Sequence, residues 1–412
     1  MSTAGSGAGW EQARRVLCVR LDNMGDVLMT TPALQALADS LPGRELTLLT
    51  SRPCAALAPH LPMVADVMTW DAPWVRHDPQ PGTREVSDGI AACAARLAAR
   101  SFDAAVIFTV YSQSPLPAAI LCCMAGIPLR LAHCRENPYA LLSDWVRDTE
   151  PNLDTHRPPR HEAQRQLDLV AQVGAATRDP RLRFRLAHAD RDSVAALLRQ
   201  LGARRHVVVH PGATAPSRRW PPERFAAVAR QLADESGALV LVTGSAGEAG
   251  IVAQVCALAG RAGVVPLAGR LSLGEMGALL ASADLLVSNN SGPVHLAAAL
   301  GTPVADLYAL TNPQHTPWMV PHRVLFHDVP CRYCYKSACP QGHHRCLREV
   351  TVEQVLDAAR ALLAGEACET AMPWHPPAAA AAPSVPAVPA APGLASDTPP
   401  FAEETAHVHT WH

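Results

Sequence analysis

Two acids, an amide and a glycine stand together in "RLDNMGDVLMTTPALQAL", residues 20 to 37, directly after the short apolar run Val16 to Val19. Such a junction reads as a strand turning into a helix. Asp22, Asn23, Gly25 and Asp26 then occupy the turn. A helix dipole stabilises a first-turn acid in its ionised form, which alone accounts for a carboxylate there. The same position lies above the carboxyl end of a strand, where parallel sheets bind their ligands. Both roles stay open on these residues alone.

Three further stretches have chemistry at a strand end. In "VVVHPGATAPSRRWPPERF", residues 207 to 225, Pro211 and Gly212 turn the chain, Thr214 offers a hydroxyl, and Arg218 and Arg219 offer guanidinium groups. A hydroxyl and two arginines could clamp a pyrophosphate, because arginine takes such oxygens bidentately. An ordinary solvated loop has the same composition. In "LVLVTGSAGEAGIVAQV", residues 239 to 255, a glycine turn precedes a helix starting near Gly247, without a full dinucleotide fingerprint. Glu248 suits a ribose hydroxyl, or simply the helix dipole. In "ADLLVSNNSGPVHLAAALGTPVADLY", residues 283 to 308, Asn289, Asn290, Ser291 and Gly292 form the turn, and Pro293 sits well at a first helical position. The N–H groups of such a helix start favour an anion, and Ser291 is expected to cap it. His295 lies one turn in, either meeting that anion or serving as a satisfied helix histidine.

A fourth stretch, "CRYCYKSACPQGHHRCL", gathers Cys331, Cys334, Cys339 and Cys346 with His343 and His344. A C-x-x-C start followed by two thiols could hold zinc, but the later spacing is irregular for a structural zinc site. We read the four thiols as packing in a compact loop, with no metal assigned.

These turns need strands and helices to hold them. Apolar runs predict strands at 16–20, 46–50, 66–69, 104–108 and 129–132, then at 206–210, 238–243, 264–267, 284–288 and 303–308. Amphipathic stretches predict helices at 27–40, 53–59, 85–99 and 115–124, then 161–173, 190–201, 222–236, 247–259, 273–282, 292–300 and 351–363. The alternation argues for parallel βαβ units in an α/β protein. It breaks at the polar, proline-containing residues 147–162, read as a crossing between two halves of similar architecture. Residues 370–412 are rich in alanine and proline and predict a disordered tail.

Composition excludes some classes. The 412 residues are long for one domain and carry a formal net charge of −2, so no global field draws the chain to nucleic acid. Of 35 cationic residues, only Lys336 is lysine. No apolar segment has the length of a membrane span, and the N-terminal "MSTAGSGAGWEQARR" lacks the apolar core of a signal peptide. A cytoplasmic protein is expected, and in a reducing compartment Cys18, Cys54, Cys93 and Cys256 read as small core residues.

"RLDNMGDVLMTTPAL", "HPGATAPSRRWP" and "SNNSGPVHLAAALGTP" resemble, in order, the signatures of family-9 glycosyltransferases, which include the ADP-heptose:lipopolysaccharide heptosyltransferases. The resemblance runs from about residue 15 to 365. It implies the GT-B architecture, two Rossmann-like doubly wound domains facing a central cleft. Residues 15–160 would bind the acceptor and 161–365 the nucleotide-sugar donor.

It also implies an inverting reaction without metal or other cofactor. Asp26 matches the base that takes the acceptor's proton. Thr214 and Arg218 match contacts to the donor diphosphate, Glu248 a nucleoside contact, and Ser291, Gly292 and His295 the phosphate-holding turn. Asn290 departs from the family's usual aspartate. The expected partners are an ADP-sugar, best ADP-heptose, and a lipid-linked saccharide of lipopolysaccharide-core type at the inner face of the cytoplasmic membrane. No nucleic acid is expected. Another nucleotide sugar or acceptor, or a sugar-nucleotide epimerase of the same fold, are the alternatives.

Overall fold

A computed structural model describes residues 9–75, 82–150 and 159–366. The first sheet contains β1 (Arg15–Val19), β2 (Glu45–Thr50), β3 (Asp66–Thr69), β4 (Ala104–Ile107), β5 (Leu129–Cys134) and β6 (Asp144–Arg147), in the order β3-β2-β1-β4-β5-β6. The second contains β7 (His206–His210), β8 (Leu239–Val242), β9 (Val264–Pro266), β10 (Leu285–Asn289), β11 (Val304–Leu307) and β12 (His322–Leu325), in the order β12-β11-β10-β7-β8-β9. Every pairing is parallel. Read from the other edge, the second order repeats the first. Each is the doubly wound arrangement whose strand order reverses at one point. That point lies between β1 and β4 in one sheet and between β7 and β10 in the other.

Helices cover the sheets. They are α1 (Met24–Asp39), α2 (Thr83–Ala98), α3 (Leu116–Met124), α4 (Glu162–Ala171), α5 (His188–Gln200), α6 (Pro222–Ser236), α7 (Ala249–Ala259), α8 (Leu273–Ala281), α9 (Gly292–Leu300), α10 (Arg345–Arg348) and α11 (Val352–Leu363). The inner strands are buried on both faces, which is why they read as unbroken apolar runs. Cys18, Cys54 and Cys93 are buried as expected, and burial pushes the Cys18 thiol up to about 12. Cys256 is only half-buried.

α1 packs against both α4 and α9, so it is buried along most of its length. Pro32 lies inside it and removes the N–H that would reach the Leu28 carbonyl. The Thr31 hydroxyl donates to that carbonyl at 2.6 Å, so the buried acceptor is not orphaned.

The structure adds two strands that the apolar pattern does not predict, β6 and β12, both at sheet edges. The stretch expected as a helix at 53–59 is a 3₁₀ helix, Arg52–His60, interrupted by Pro59. The crossing holds the end of β6 and the start of α4, which packs on α1 and β5. The alanine and proline tail lies outside the described residues. No described helix is long and apolar enough to cross a membrane.

Candidate active site

The turns at the two reversal points meet. Gly25, in the first turn of α1, lies against His295 of α9, so close that a Cβ at 25 would stand 2.6 Å from the His295 Cδ2. A Cβ at Gly292 would stand 2.7 Å from the Met24 Cε. The two glycines let the helix starts touch. Beside them opens a cavity of about 210 Å³ with Asp22, Asp26, Arg218, Asn312 and His315 in its lining. A second cavity of about 320 Å³ adjoins it in the first sheet's loops, sharing Asp22, Ser112 and Gln113 and walled by Trp74 and Phe108.

Asp26 divides its two oxygens. Oδ2 accepts the Asn23 N–H at 3.1 Å, the helix-start role. Oδ1 lies 3.4 Å from the Arg20 Nη2 and 4.0 Å from the His315 Nε2. Arg20 is fully buried and also contacts Asp22 at 3.0 Å and Glu162 at 2.8 Å. Burial works against ionising Glu162, yet Arg20 and Arg165 hold its carboxyl below the ordinary range. Burial pushes Asp22 up to about 6, with Arg20 opposing and the Asp26 charge adding. Burial likewise raises Asp26, with Arg20 opposing and Glu162 adding. One guanidinium among three buried carboxylates thus leaves two with enhanced proton affinity. A general base works best when its pKa approaches the working pH, so Asp26 is a stronger base than an exposed aspartate.

The second sheet supplies the cation. Arg218 is half-buried, and among the described residues no carboxylate lies within ion-pairing distance of it. Its charge lowers the proton affinity of both Asp26 and His295, so it is close to the turns of both sheets. Arg219 turns away, donating to the Ala213 carbonyl at 2.7 Å and the Thr214 carbonyl at 3.4 Å. Asn289 holds this loop in place. Its Nδ2 donates to the Pro211 carbonyl at 2.8 Å, and its Oδ1 accepts the Trp220 N–H at 3.0 Å. Thr214 is exposed on the same loop.

The Glu248 Oε2 accepts both the N–H and the hydroxyl of Ser245 at 2.8 Å, a capping box. Its carboxylate crowds Gly212, where a Cβ would meet Oε1 at 2.1 Å. Glu248 therefore lies at the loop that bears Thr214. Ser291 stands at the N-cap of α9 but makes no capping bond, against expectation. Its hydroxyl donates to the Asn289 carbonyl at 3.1 Å. Pro293 has no N–H and the Val294 N–H donates to the Ser291 carbonyl at 3.0 Å, so at this helix start the Gly292 N–H is the group left for an anion.

Asn290 is buried and turned inward. Its Nδ2 donates to the Asp306 Oδ2 and to the His315 carbonyl, each at 2.9 Å. Burial pushes the Asp306 carboxyl well above the ordinary range. The acid of this corner is therefore one strand over, on β11, where burial favours its protonated form. Burial drives His295 well below its usual range, so its ring is neutral. It offers an N–H but no charge.

Arg20, Glu162, His315 and Lys336 belong to this site and were not singled out for it from the sequence. Arg20 had a weak signal, a cation closing an apolar strand. Glu162 and His315 had none, because their meaning comes from partners far along the chain. The loop bearing His315 is gripped by the crossing. The Gln314 Nε2 donates to Glu150 and to the Arg160 carbonyl, each at 2.8 Å, and His161 stacks on Trp318 at 4.4 Å. In the cysteine segment Cys331 Sγ lies 3.7 Å from the His343 Nε2, and Cys339 Sγ accepts the His344 N–H at 3.4 Å. Among the described residues no group of three or more His, Cys, Asp or Glu is arranged to hold a metal ion.

A family model described as "Glycosyltransferase family 9 (heptosyltransferase)" matches residues 90–344. Lipopolysaccharide heptosyltransferase 2 of Escherichia coli (strain K12) is 32% identical over 162 residues, 38% of this chain and 46% of that protein. Lipooligosaccharide heptosyltransferase 2 of Campylobacter jejuni is 28% identical over 159 residues, 38% of this chain and 50% of that protein. The chain thus spans about half the length of these curated relatives. Among solved structures, the glycosyl transferase family 9 protein of Veillonella parvula is similar with a TM-score of 0.70 and 22% identity, covering 85% of this chain and 98% of that one. The E. coli ADP-heptose lps heptosyltransferase II has a TM-score of 0.65 and 22% identity, covering 86% and 100%. The two-domain α/β fold expected above is the fold these structures share.

Proposed function

Because this chain belongs to glycosyltransferase family 9, we propose that it is an inverting glycosyltransferase whose donor is ADP-heptose and whose acceptor is a saccharide of lipopolysaccharide-core type. One observation carries the reading. Asp26, a buried carboxylate in the lining of the cavity, shares that cavity with the unpaired cation Arg218. A displacement at an anomeric carbon needs those two groups on opposite sides of the reacting atom.

The acceptor hydroxyl gives its proton to the Asp26 Oδ1, and its oxygen attacks the anomeric carbon. The bond from that carbon to the β-phosphate oxygen breaks, and ADP leaves with the electron pair. Configuration inverts. Arg218 and the Gly292 N–H at the start of α9 meet the growing negative charge, a contribution on the order of 3–4 kcal/mol per preorganised donor. His295 adds a neutral N–H, and Thr214 and Glu248 are assigned to the donor's diphosphate and nucleoside. The cavity walled by Trp74 and Phe108 is assigned to the acceptor sugar. Its lipid end would lie at the cytoplasmic face of the inner membrane.

A second reading, another nucleotide sugar in the same site, is favoured by one observation. Asn290 replaces the aspartate expected there, and the acid sits instead at Asp306. The test is a donor screen with ADP-, UDP-, GDP- and dTDP-sugars against a lipopolysaccharide-core acceptor, read by mass spectrometry, with and without chelator. The proposal requires one heptose added from ADP-heptose, unaffected by the chelator. Conversion of donor without acceptor would point to an epimerase instead.

A further inference from the structure

The cleft holds a residue that neither the family signatures nor the reaction above uses. Lys336 is the sole lysine among 35 cationic residues, and it lines the same cavity as Asp26 and Arg218. We propose that Lys336 is a substrate contact, its ammonium taking an anionic phosphate or carboxylate oxygen that enters this cavity. The proposal rests on the assignment of the cavity as the place where donor and acceptor meet.

The backbone around Lys336 is held from three directions. The Ser217 hydroxyl donates to the Lys336 carbonyl at 2.8 Å, and the Ser217 N–H donates to the Ser337 carbonyl at 3.0 Å. Ser217 directly precedes Arg218, so the two cations are set by one clasp. The Tyr335 N–H donates to the Thr311 carbonyl at 3.0 Å, on the loop that leads to His315. The Tyr335 ring meets Tyr111 of the first sheet's loop edge to face, with centroids 5.5 Å apart and planes at 88°.

Both Tyr333 and Tyr335 have left-handed backbone, φ 59° and 52°. Side chains rarely adopt that conformation, and it persists where surrounding contacts impose it. The cysteine-rich segment thus serves as the frame of a strap that reaches the cleft at Tyr335, Lys336 and Ser337. Within this frame Lys336 is exposed, and among the described residues no carboxylate lies in ion-pairing distance of its ammonium. Everywhere else this chain fills a cationic position with arginine. A lysine differs in being a compact point charge on a flexible stem, suited to one oxygen of a mobile ligand rather than to a fixed fork.

That oxygen could come from the donor's diphosphate or from an acidic group on the acceptor saccharide. The single side-chain amine makes the sources separable. Reductive methylation with ¹³C-formaldehyde keeps the charge and labels Lys336 alone among side chains. ADP is then titrated, and separately a core saccharide bearing phosphate or acid sugar. A saturable shift of the dimethyl-lysine signal with ADP assigns the donor, and one with the saccharide assigns the acceptor. In parallel, Lys336→Gln should raise the KM of that same substrate about tenfold, the size of one lost charge-assisted hydrogen bond, with kcat nearly kept. Lys336→Arg should recover most of the loss. If ADP and saccharide both bind by calorimetry but neither moves the signal, and Lys336→Gln leaves both KM values unchanged, the proposal is wrong. If the unlabelled wild type binds neither ligand, the assignment of the cavity fails first, and this inference with it.

Discussion

Gly25→Ala isolates the contact that joins the two halves of the site. In a helix first turn, alanine would ordinarily stabilise by about 0.5–1 kcal/mol over glycine. Here the new Cβ would lie 2.6 Å from the His295 Cδ2 and 3.4 Å from its Nε2. Carbon atoms rest at about 3.5–4.0 Å, so the ring or the start of α1 must shift by roughly 1 Å. His295 is buried and cannot swing into solvent. Overpacking of this kind costs about 1–3 kcal/mol, which outweighs the helix gain. The next residue is Asp26. A displacement of about 1 Å in a catalytic group costs about 10²-fold in rate. Gly25→Ala should therefore lower kcat/KM about 100-fold in a transfer assay and lower Tm by calorimetry. Gly89→Ala is the control, because it lies inside α2 with open space around it. That variant should gain about 0.5–1 kcal/mol and keep its activity. Wild-type kcat/KM and Tm for Gly25→Ala would refute the contact and the reasoning built on it.

Further outcomes follow from the charges and loop contacts of the site. As the proposed base, Asp26 would act when deprotonated, and burial raises its proton affinity, so the acid limb of the kcat/KM profile should lie above the ordinary carboxylate range. Asp22→Asn removes a repelling charge and leaves Arg20 more to Asp26, so that limb should move to lower pH; a move to higher pH contradicts the assignment. Arg218→Ala should weaken ADP binding and slow transfer together, by about 10²-fold or more in kcat. Arg219→Ala should cost about 1 kcal/mol of stability through its lost loop bonds and leave ADP binding nearly unchanged by calorimetry.

What the sequence shows and hides has a physical pattern. The inner strands were legible because both faces are buried, so their residues are apolar without alternation. β6, "DWVR", and β12, "HRVL", are edge strands with half-exposed residues, and neither composition nor period separates them from loops. The 3₁₀ helix at Arg52–His60 has helix-forming alanines and leucines, but prolines at both ends of the segment tighten it. At the site, Asp26, Arg218 and the turn Asn290–Gly292 were legible because a strand end and a helix start mark them locally. Asn290 was legible as a departure, but its inward turn toward Asp306, 16 residues on, was not. Glu162 lies 142 residues from the Arg20 it neutralises. Ser291 looked like a cap from its type alone, yet its hydroxyl donates to a carbonyl instead.

Asp26→Asn separates a residue that takes the acceptor's proton from one that only starts a helix. The amide keeps an oxygen for the Asn23 N–H, so the helix start survives. It also removes a buried charge that its surroundings disfavour, so Tm should stay level or rise at neutral pH. Turnover with ADP-heptose and acceptor should fall by about 10²–10⁴-fold, while the Kd for ADP-heptose stays close to wild type. Near-normal turnover would make Asp26 a helix-start acid and nothing more, and a loss that tracks weakened donor binding would contradict its role as the base.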